Sequence, residues 1–235
     1  MYLAEKLSEI VTSKGATLML STIATSIHNT TDGVTVLLED GKELNGNIVV
    51  VALPPRLAVS RLTYNPPLSQ HHSSSLRSIT TWMGSTTKVV LVFSTPFWRA
   101  VEWPDVYHYD DAIGQWNDAS SELPAPGVYA ILGFGRSGIT QQQVMAQIAR
   151  LFGDHVLQYL ISYHSVDWSV EKWTSSSVRD GHGYHPSASD VLRSGFWDNK
   201  MYFSSTEMSD REAGYMDGAV RRGKQVASKI LKSIN

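Results

Sequence analysis

The 235-residue sequence contains no cysteine, which excludes disulfides, thiolate zinc sites, iron–sulfur clusters and cysteine nucleophiles together. Charge is scarce as well: 18% of residues are charged, against about 25% in an average soluble domain. With 20 basic residues facing 22 acidic ones, there is no basic excess to read a nucleic-acid backbone. No apolar run reaches the ~18 residues that a membrane span requires. What the chain has in quantity is apolar and aromatic material, 42% hydrophobic with seven Trp and ten Tyr. That is enough for a sizeable core and suits a ligand that is flat or greasy. The first 15 residues, with Glu5, Lys6, Glu9 and Lys14, read as an amphipathic helix and not as a leader, so a soluble, cytoplasmic protein is expected.

Periodicity divides the chain into three parts. Leu3, Leu7, Ile10 and Val11 recur at helical spacing over residues 2–13, and Gly15 is a natural stop. Short β-branched runs follow at Thr17–Leu20, Ile23–Ile27 and Val34–Leu38, with Thr31-Asp32-Gly33 as a turn between the last two, so a hairpin is predicted. Ile48–Leu53 is a continuous apolar run, as in a parallel strand buried on both faces, and Pro54-Pro55 ends it. The middle is rich in Pro, Ser and Trp. Strands are expected there at Lys88–Phe93, Val128–Phe134 and Val156–Tyr163, and a helix at Gln142–Phe152. The last 36 residues predict a strand at Lys200–Phe203 and a helix from about Gly214 to Ile234, with Met216, Val220, Ala227, Ile230, Leu231 and Ile234 as its apolar stripe. The two ends together supply half of a nucleotide-binding domain, so they should meet in space around the long insertion.

In order and spacing, the motifs resemble the C-terminal half of the flavin-containing amine oxidases, the family of monoamine and polyamine oxidases. The resemblance is carried by Val50-Val51-Ala52-Leu53-Pro54-Pro55, Leu62-Thr63-Tyr64-Asn65-Pro66-Pro67-Leu68, Met83-Gly84, Lys88-Val89, Pro96-Phe97-Trp98, Leu151-Phe152-Gly153 and Trp168. It closes on Tyr202-Phe203-Ser204-Ser205-Thr206-Glu207 and Gly214-Tyr215-Met216-Asp217-Gly218-Ala219-Val220. It implies an α/β plus α+β fold in which a partial FAD-binding, Rossmann-like half-domain (1–53 and 196–235) is interleaved with a mixed-sheet substrate-binding domain (54–195). It further implies oxidative deamination of a small-molecule amine, with non-covalently bound FAD and with oxygen as partner. The catalytic assignments it implies are Lys88, holding a water against the flavin, and Tyr215, one wall of the aromatic cage around the amine. For the cofactor it implies Ala24, Trp168, Trp173, Ser205, Thr206, Glu207, Gly214, Tyr215, Met216 and Ala219. Independently of the family, a strand ending in small polar residues and re-entering a helix at Gly214 places free helix N–H groups at the carboxyl edge of a sheet, a seat for an electron-rich ligand.

The departures matter too. Ser204-Ser205 stand where the family carries Ala-Gly, and Ser175, Ser176, Ser177 and Val178 where it carries Gly-Gly, a small residue or the flavin-linking cysteine, and a second cage tyrosine. The dinucleotide fingerprint is expected before Met1, so the chain by itself is expected to hold FAD weakly and to be inactive. The alternative is a non-catalytic domain that folds without flavin and serves at most as a binding module. A literal fingerprint, Gly133-Phe134-Gly135-Arg136-Ser137-Gly138 with Asp167 downstream, competes as a dinucleotide turn, but the resemblance places it in the substrate domain. His182 and His185, beside His164 and the pair His71-His72, lack an acidic partner at ligand spacing, so no metal is expected.

Overall fold

The computed structural model describes residues 2–100, 111–120, 127–176 and 185–234. After the N-terminal helix α1 (Tyr2–Ser13), β1 (Ala24–Thr30), β2 (Gly33–Leu38) and β3 (Glu43–Gly46) form an antiparallel meander. The predicted Asp32-Gly33 turn joins β1 to β2, with Thr30 opposite Gly33. Residues 17–20 form no strand: they have no pairing partner, and Leu18, Met19 and Leu20 are exposed. Strand β4 (Val49–Val51) leads through Pro54 into α2 (Pro55–Arg61), whose first position is the proline that cannot serve deeper in a helix. Next come β5 (Thr63–Asn65), which pairs parallel with β1, and α3 (Gln70–Ser78), capped by the Ser69 hydroxyl.

The middle of the chain builds an antiparallel sheet in the order β7-β8-β6-β9, from β6 (Thr86–Phe93), β7 (Ile113–Asp118), β8 (Tyr129–Arg136) and β9 (Leu160–Asp167). Helix α4 (Gln141–Phe152) covers one face, started by a capping box between Thr140 and Gln143. Its buried Gln147 donates to the Ile113 carbonyl and accepts from the Ile113 N–H, both at 2.8 Å, which ties the edge strand down. The strand predicted over 156–163 begins later, because the chain after Gly153 first makes a tight helical turn at 154–159. Gly133 and Gly135 lie inside β8 between antiparallel neighbours, and a Cβ on Gly133 would strike Ile113 and Trp116. Gly133 makes room for Trp116 and Ile113, and Gly135 for Ala112, Ile113 and Ile139, so these two glycines lie within a sheet and not in a phosphate turn. Asp167 fastens the turn that follows β8, accepting from the Gly138 N–H at 2.9 Å and the Ser137 hydroxyl at 3.0 Å.

The chain then passes through the short α5 (Asp190–Arg193) to β10 (Met201–Phe203) and α6 (Met216–Ile234). Strand β10 pairs in parallel with β4, Met201 opposite Val49 and Phe203 opposite Val51, so segments about 150 residues apart in sequence meet as the layout requires. One core gathers Ile27, Val51, Leu76, Leu192, Met201, Phe203 and their neighbours; the other gathers Val89, Leu91, Phe93, Trp98, Ile131 and Ile148 under α4. The predicted stripe of α6 is not its buried face: Met216, Val220 and Leu231 are exposed, whereas Gly218, Arg222 and Val226 face inward. The reason is Arg222. Its guanidinium, buried beneath α6, donates to the Phe203 carbonyl (2.8 and 3.1 Å) and the Arg193 carbonyl (3.0 Å), which rotates the helix onto this line. Helix α1 has no buried residue.

Candidate functional site

Because β4 and β10 run parallel, their carboxyl ends share one edge, where the Ser204 N–H donates to the Val51 carbonyl at 2.9 Å. Ligands of open α/β sheets bind along this kind of edge. On the β4 side it opens into a cavity of about 770 Å³ between residues 21–25 and 49–53. Ala24 and Trp173, two of the residues expected at the cofactor, both line it.

On the β10 side the chain turns at Ser205, Thr206 and Glu207 and enters α6 at Gly214. The Thr206 hydroxyl accepts from the Gly214 N–H at 2.9 Å and donates to the Tyr215 carbonyl at 2.7 Å, so one side chain fixes the helix entry. Gly214 has φ 94°, a left-handed value, and a Cβ there would lie 2.7 Å from the Trp82 ring. Trp82 stacks on His185 (centroids 4.0 Å, 18° between planes), and both rings contact Tyr215, at 5.9 and 5.1 Å. Tyr215 therefore has aromatic partners that the sequence did not reveal, while Val178, standing in for the second cage tyrosine, lies outside the described residues, as do Ser177 and His182. Met216 and Ala219 are exposed on the first turns of α6.

Lys88 and Trp168 belong to the second sheet and the turn after it, and not to β4 or β10. Lys88 is exposed on the face of its sheet opposite α4, paired across strands with Phe134 and Val166, and Trp168 follows β9 two residues after Val166. They share one end of the second sheet. The pleat turns Val89, Leu91 and Phe93 inward and Lys88 outward. Among the described residues, no group of three His, Asp or Glu side chains could hold a metal ion. His72 is bound locally, to the Ser69 hydroxyl.

The residues present fit a ligand rich in polar groups. Ser205, Glu207 and Ser209 are buried at the β10–α6 turn; the Ser205 hydroxyl lies against the Glu207 carboxyl, and Ser209 Oγ has no hydrogen-bond partner, a state that proteins tolerate where a ligand or water supplies the missing group. Burial pushes the Glu207 carboxyl above its ordinary value. A carboxyl raised in the folded state favours folding while protonated, and that contribution is lost as pH rises through the folded value. Glu207→Gln should therefore gain stability relative to the parent as pH rises from 4 to 8, in urea titrations at stepped pH; a gap that is flat with pH would mean the carboxyl is not held in that environment.

The family model for flavin containing amine oxidoreductases matches residues 2–231. The L-amino acid dehydrogenase of Synechocystis sp. is 27% identical over 95% of this chain and 48% of its own length. The flavin-containing amine oxidase B of Homo sapiens is 24% identical over 88% of this chain and 42% of its own length. Among solved structures, putrescine oxidase bound to putrescine superposes with a TM-score of 0.76 at 21% identity, covering 95% of this chain and 51% of that one. Cyclohexylamine oxidase from Brevibacterium oxydans superposes with 0.73 at 20%, covering 90% and 48%. The chain thus spans about half the length of the relatives it matches. On the strength of the family match over nearly every residue, the chain belongs to the flavin-containing amine oxidoreductases.

Proposed function

We propose that the chain supplies the flavin-facing edge and the substrate-binding domain of an FAD-dependent amine oxidase, with residues 1–53 and 196–235 on the cofactor side and 54–195 on the substrate side. The observation that carries the reading is the shared carboxyl edge of β4 and β10. It sets the cavity containing Ala24 and Trp173 beside a turn with three buried polar side chains, Ser205, Glu207 and Ser209, and the start of a 19-residue helix. FAD held there by Ser205, Thr206, Glu207 and the start of α6 would supply a two-electron acceptor for oxidation of a neutral amine to its iminium, which loses a proton or is hydrolysed by water, with oxygen as the final acceptor giving hydrogen peroxide. The protein's work is positional and electrostatic. The first N–H groups of α6 stabilise negative charge brought to them, and Ser205, Thr206 and Glu207 offer hydrogen bonds to the cofactor's polar chain. Tyr215, backed by Trp82 and His185, presents an aromatic face to the amine. Trp168 closes the sheet end that carries Lys88, whose exposed ammonium holds a water for the oxygen step.

Lys88→Met separates that chemistry from architecture, because methionine keeps the apolar stem and loses only the charge. In an enzyme completed around this chain, stopped-flow measurement should find flavin reoxidation slowed about tenfold and reduction by amine nearly unchanged; equal reoxidation rates would remove Lys88 from the reaction. The second reading, a binding module without catalysis, is favoured by α1, with every apolar residue exposed, and by the Cβ at Ser205. Chain purified from flavin-replete cells would then stay colourless and take up no FAD when it is added in excess.

A further inference from the structure

Tyr215 is fixed at its backbone, while its side chain depends on other contacts. Its carbonyl accepts from the Thr206 hydroxyl at 2.7 Å, and its N–H donates to the Glu212 carbonyl at 3.1 Å. Neither bond decides where the phenol points. The residue is 48% exposed, and Val178 stands in for the second cage tyrosine, so a wall for the amine depends on how this one ring is set. Among the described residues, the hydrogen-bond partner of its hydroxyl is His185, with Nε2 3.4 Å from Oη. His185 belongs to no motif that carries the family resemblance. It comes from the segment ahead of α5, 30 residues before Tyr215, and its ring is stacked on Trp82, which arrives from the segment between α3 and β6.

The other ring nitrogen of His185 decides the direction of that bond. Nδ1 lies 3.1 Å from the Ala213 carbonyl. A carbonyl can only accept, so Nδ1 carries the hydrogen. In the neutral ring Nε2 is then a bare acceptor, and the Tyr215 hydroxyl donates to it. The carbonyl that selects this tautomer sits two residues before Tyr215, so the same helix entry that fixes the tyrosine backbone also prepares the acceptor for its phenol. We infer that His185, in its Nδ1–H tautomer, is a positioning residue for Tyr215: it holds the phenol in one rotamer and thereby sets the plane of the aromatic wall, with Trp82 as the platform that keeps the imidazole in place. The hold stands on these contacts; its consequence for an amine rests on the flavoenzyme reading.

Nitrogen-15 correlation of the imidazoles in the unmodified 235-residue chain, at mildly alkaline pH, reads the tautomer directly: Nδ1 of His185 should carry the hydrogen and Nε2 should be bare. The rotamer populations of residue 215, from side-chain scalar couplings, test the hold. The parent should show one dominant rotamer. His185→Phe keeps a ring to stack on Trp82 and loses the acceptor, whereas Tyr215→Phe keeps the ring and loses the donor. Each should raise the minor rotamers about fivefold, and the double variant no further, because both remove the same bond. In an enzyme completed around this chain, His185→Phe should raise KM for the amine by a similar factor and lower kcat less. A hydrogen on Nε2 in place of Nδ1, a ring that keeps its rotamer in either single variant, or effects that multiply in the double variant would overturn the inference. A freed ring with an unchanged KM would overturn its consequence for the amine and leave the flavin assignment to stand on FAD binding. The expected tautomer and coupling in a chain that takes up no FAD would support the hold and defeat the flavoenzyme reading.

Discussion

Replacing Gly214 by alanine should destabilise the chain by about 3 kcal/mol and displace Trp82 from the start of α6. Two costs add. The backbone is left-handed at φ 94°, where an L side chain is strained, and the new Cβ would sit 2.7 Å from Cγ and 2.9 Å from Cβ of Trp82. The indole has to move, and with it the stack on His185 and the contact with Tyr215. Urea denaturation gives the stability. The loss of ring-current shifts on the His185 ring protons gives the displacement. An alanine variant as stable as the parent, with those shifts intact, would show that the helix entry is not built as described. Gly218 is held on the same principle, since its Cβ would strike the Glu212 carbonyl and the Thr206 hydroxyl.

Trp98→Ala should cost about 4 kcal/mol, because removing a fully buried indole leaves a cavity that a packed sheet fills only in part. Trp98 is buried against Phe93 and Phe97 at centroid distances of 5.7 and 5.1 Å, and its indole N–H donates to Asp118 at 3.1 Å. Although burial opposes ionisation of Asp118, donors from Arg99, Ser120 and Trp98 hold its carboxyl well below the usual range, and the substitution removes one of them. The expected signature is a lower urea midpoint with an unchanged slope. A loss below about 1 kcal/mol would mean that the site collapses around the missing ring.

Where one face of an element decides its place, the sequence was readable. The β1–β2 hairpin follows from its turn, the helix read over 142–152 is α4, and the apolar run at 48–53 contains the parallel strand β4, although Val50 is exposed and the strand is not buried on both faces. The errors have a common cause, which is that tertiary partners override local pattern. Residues 17–20 look like a strand and find no partner. The apolar line of α6 yields to Gly218, Arg222 and Val226 because a buried guanidinium reaches two carbonyls. Gly133 to Gly138 match a fingerprint, yet two of the glycines make room for Trp116 and Ile113 inside an antiparallel sheet. The proposed site rests in the sequence on ordered motifs alone. Thr206, Gly214 and Tyr215 are joined by hydrogen bonds of one hydroxyl, and Ala24 and Trp173 share one cavity. Trp82 carried no signal and His185 was read only as one of a group of histidines, because each reaches Tyr215 from a segment whose approach depends on the whole fold.

Chemical-shift mapping of the chain with FAD in millimolar excess tests the central claim most directly. The account predicts that one ligand perturbs two stretches remote in sequence, the amides of residues 21–25 and 49–53 with the Trp173 indole, and the amides of Gly214 to Gly218 at the start of α6. Perturbations confined to other surfaces, or none at millimolar FAD, would contradict the assignment of this edge to the flavin.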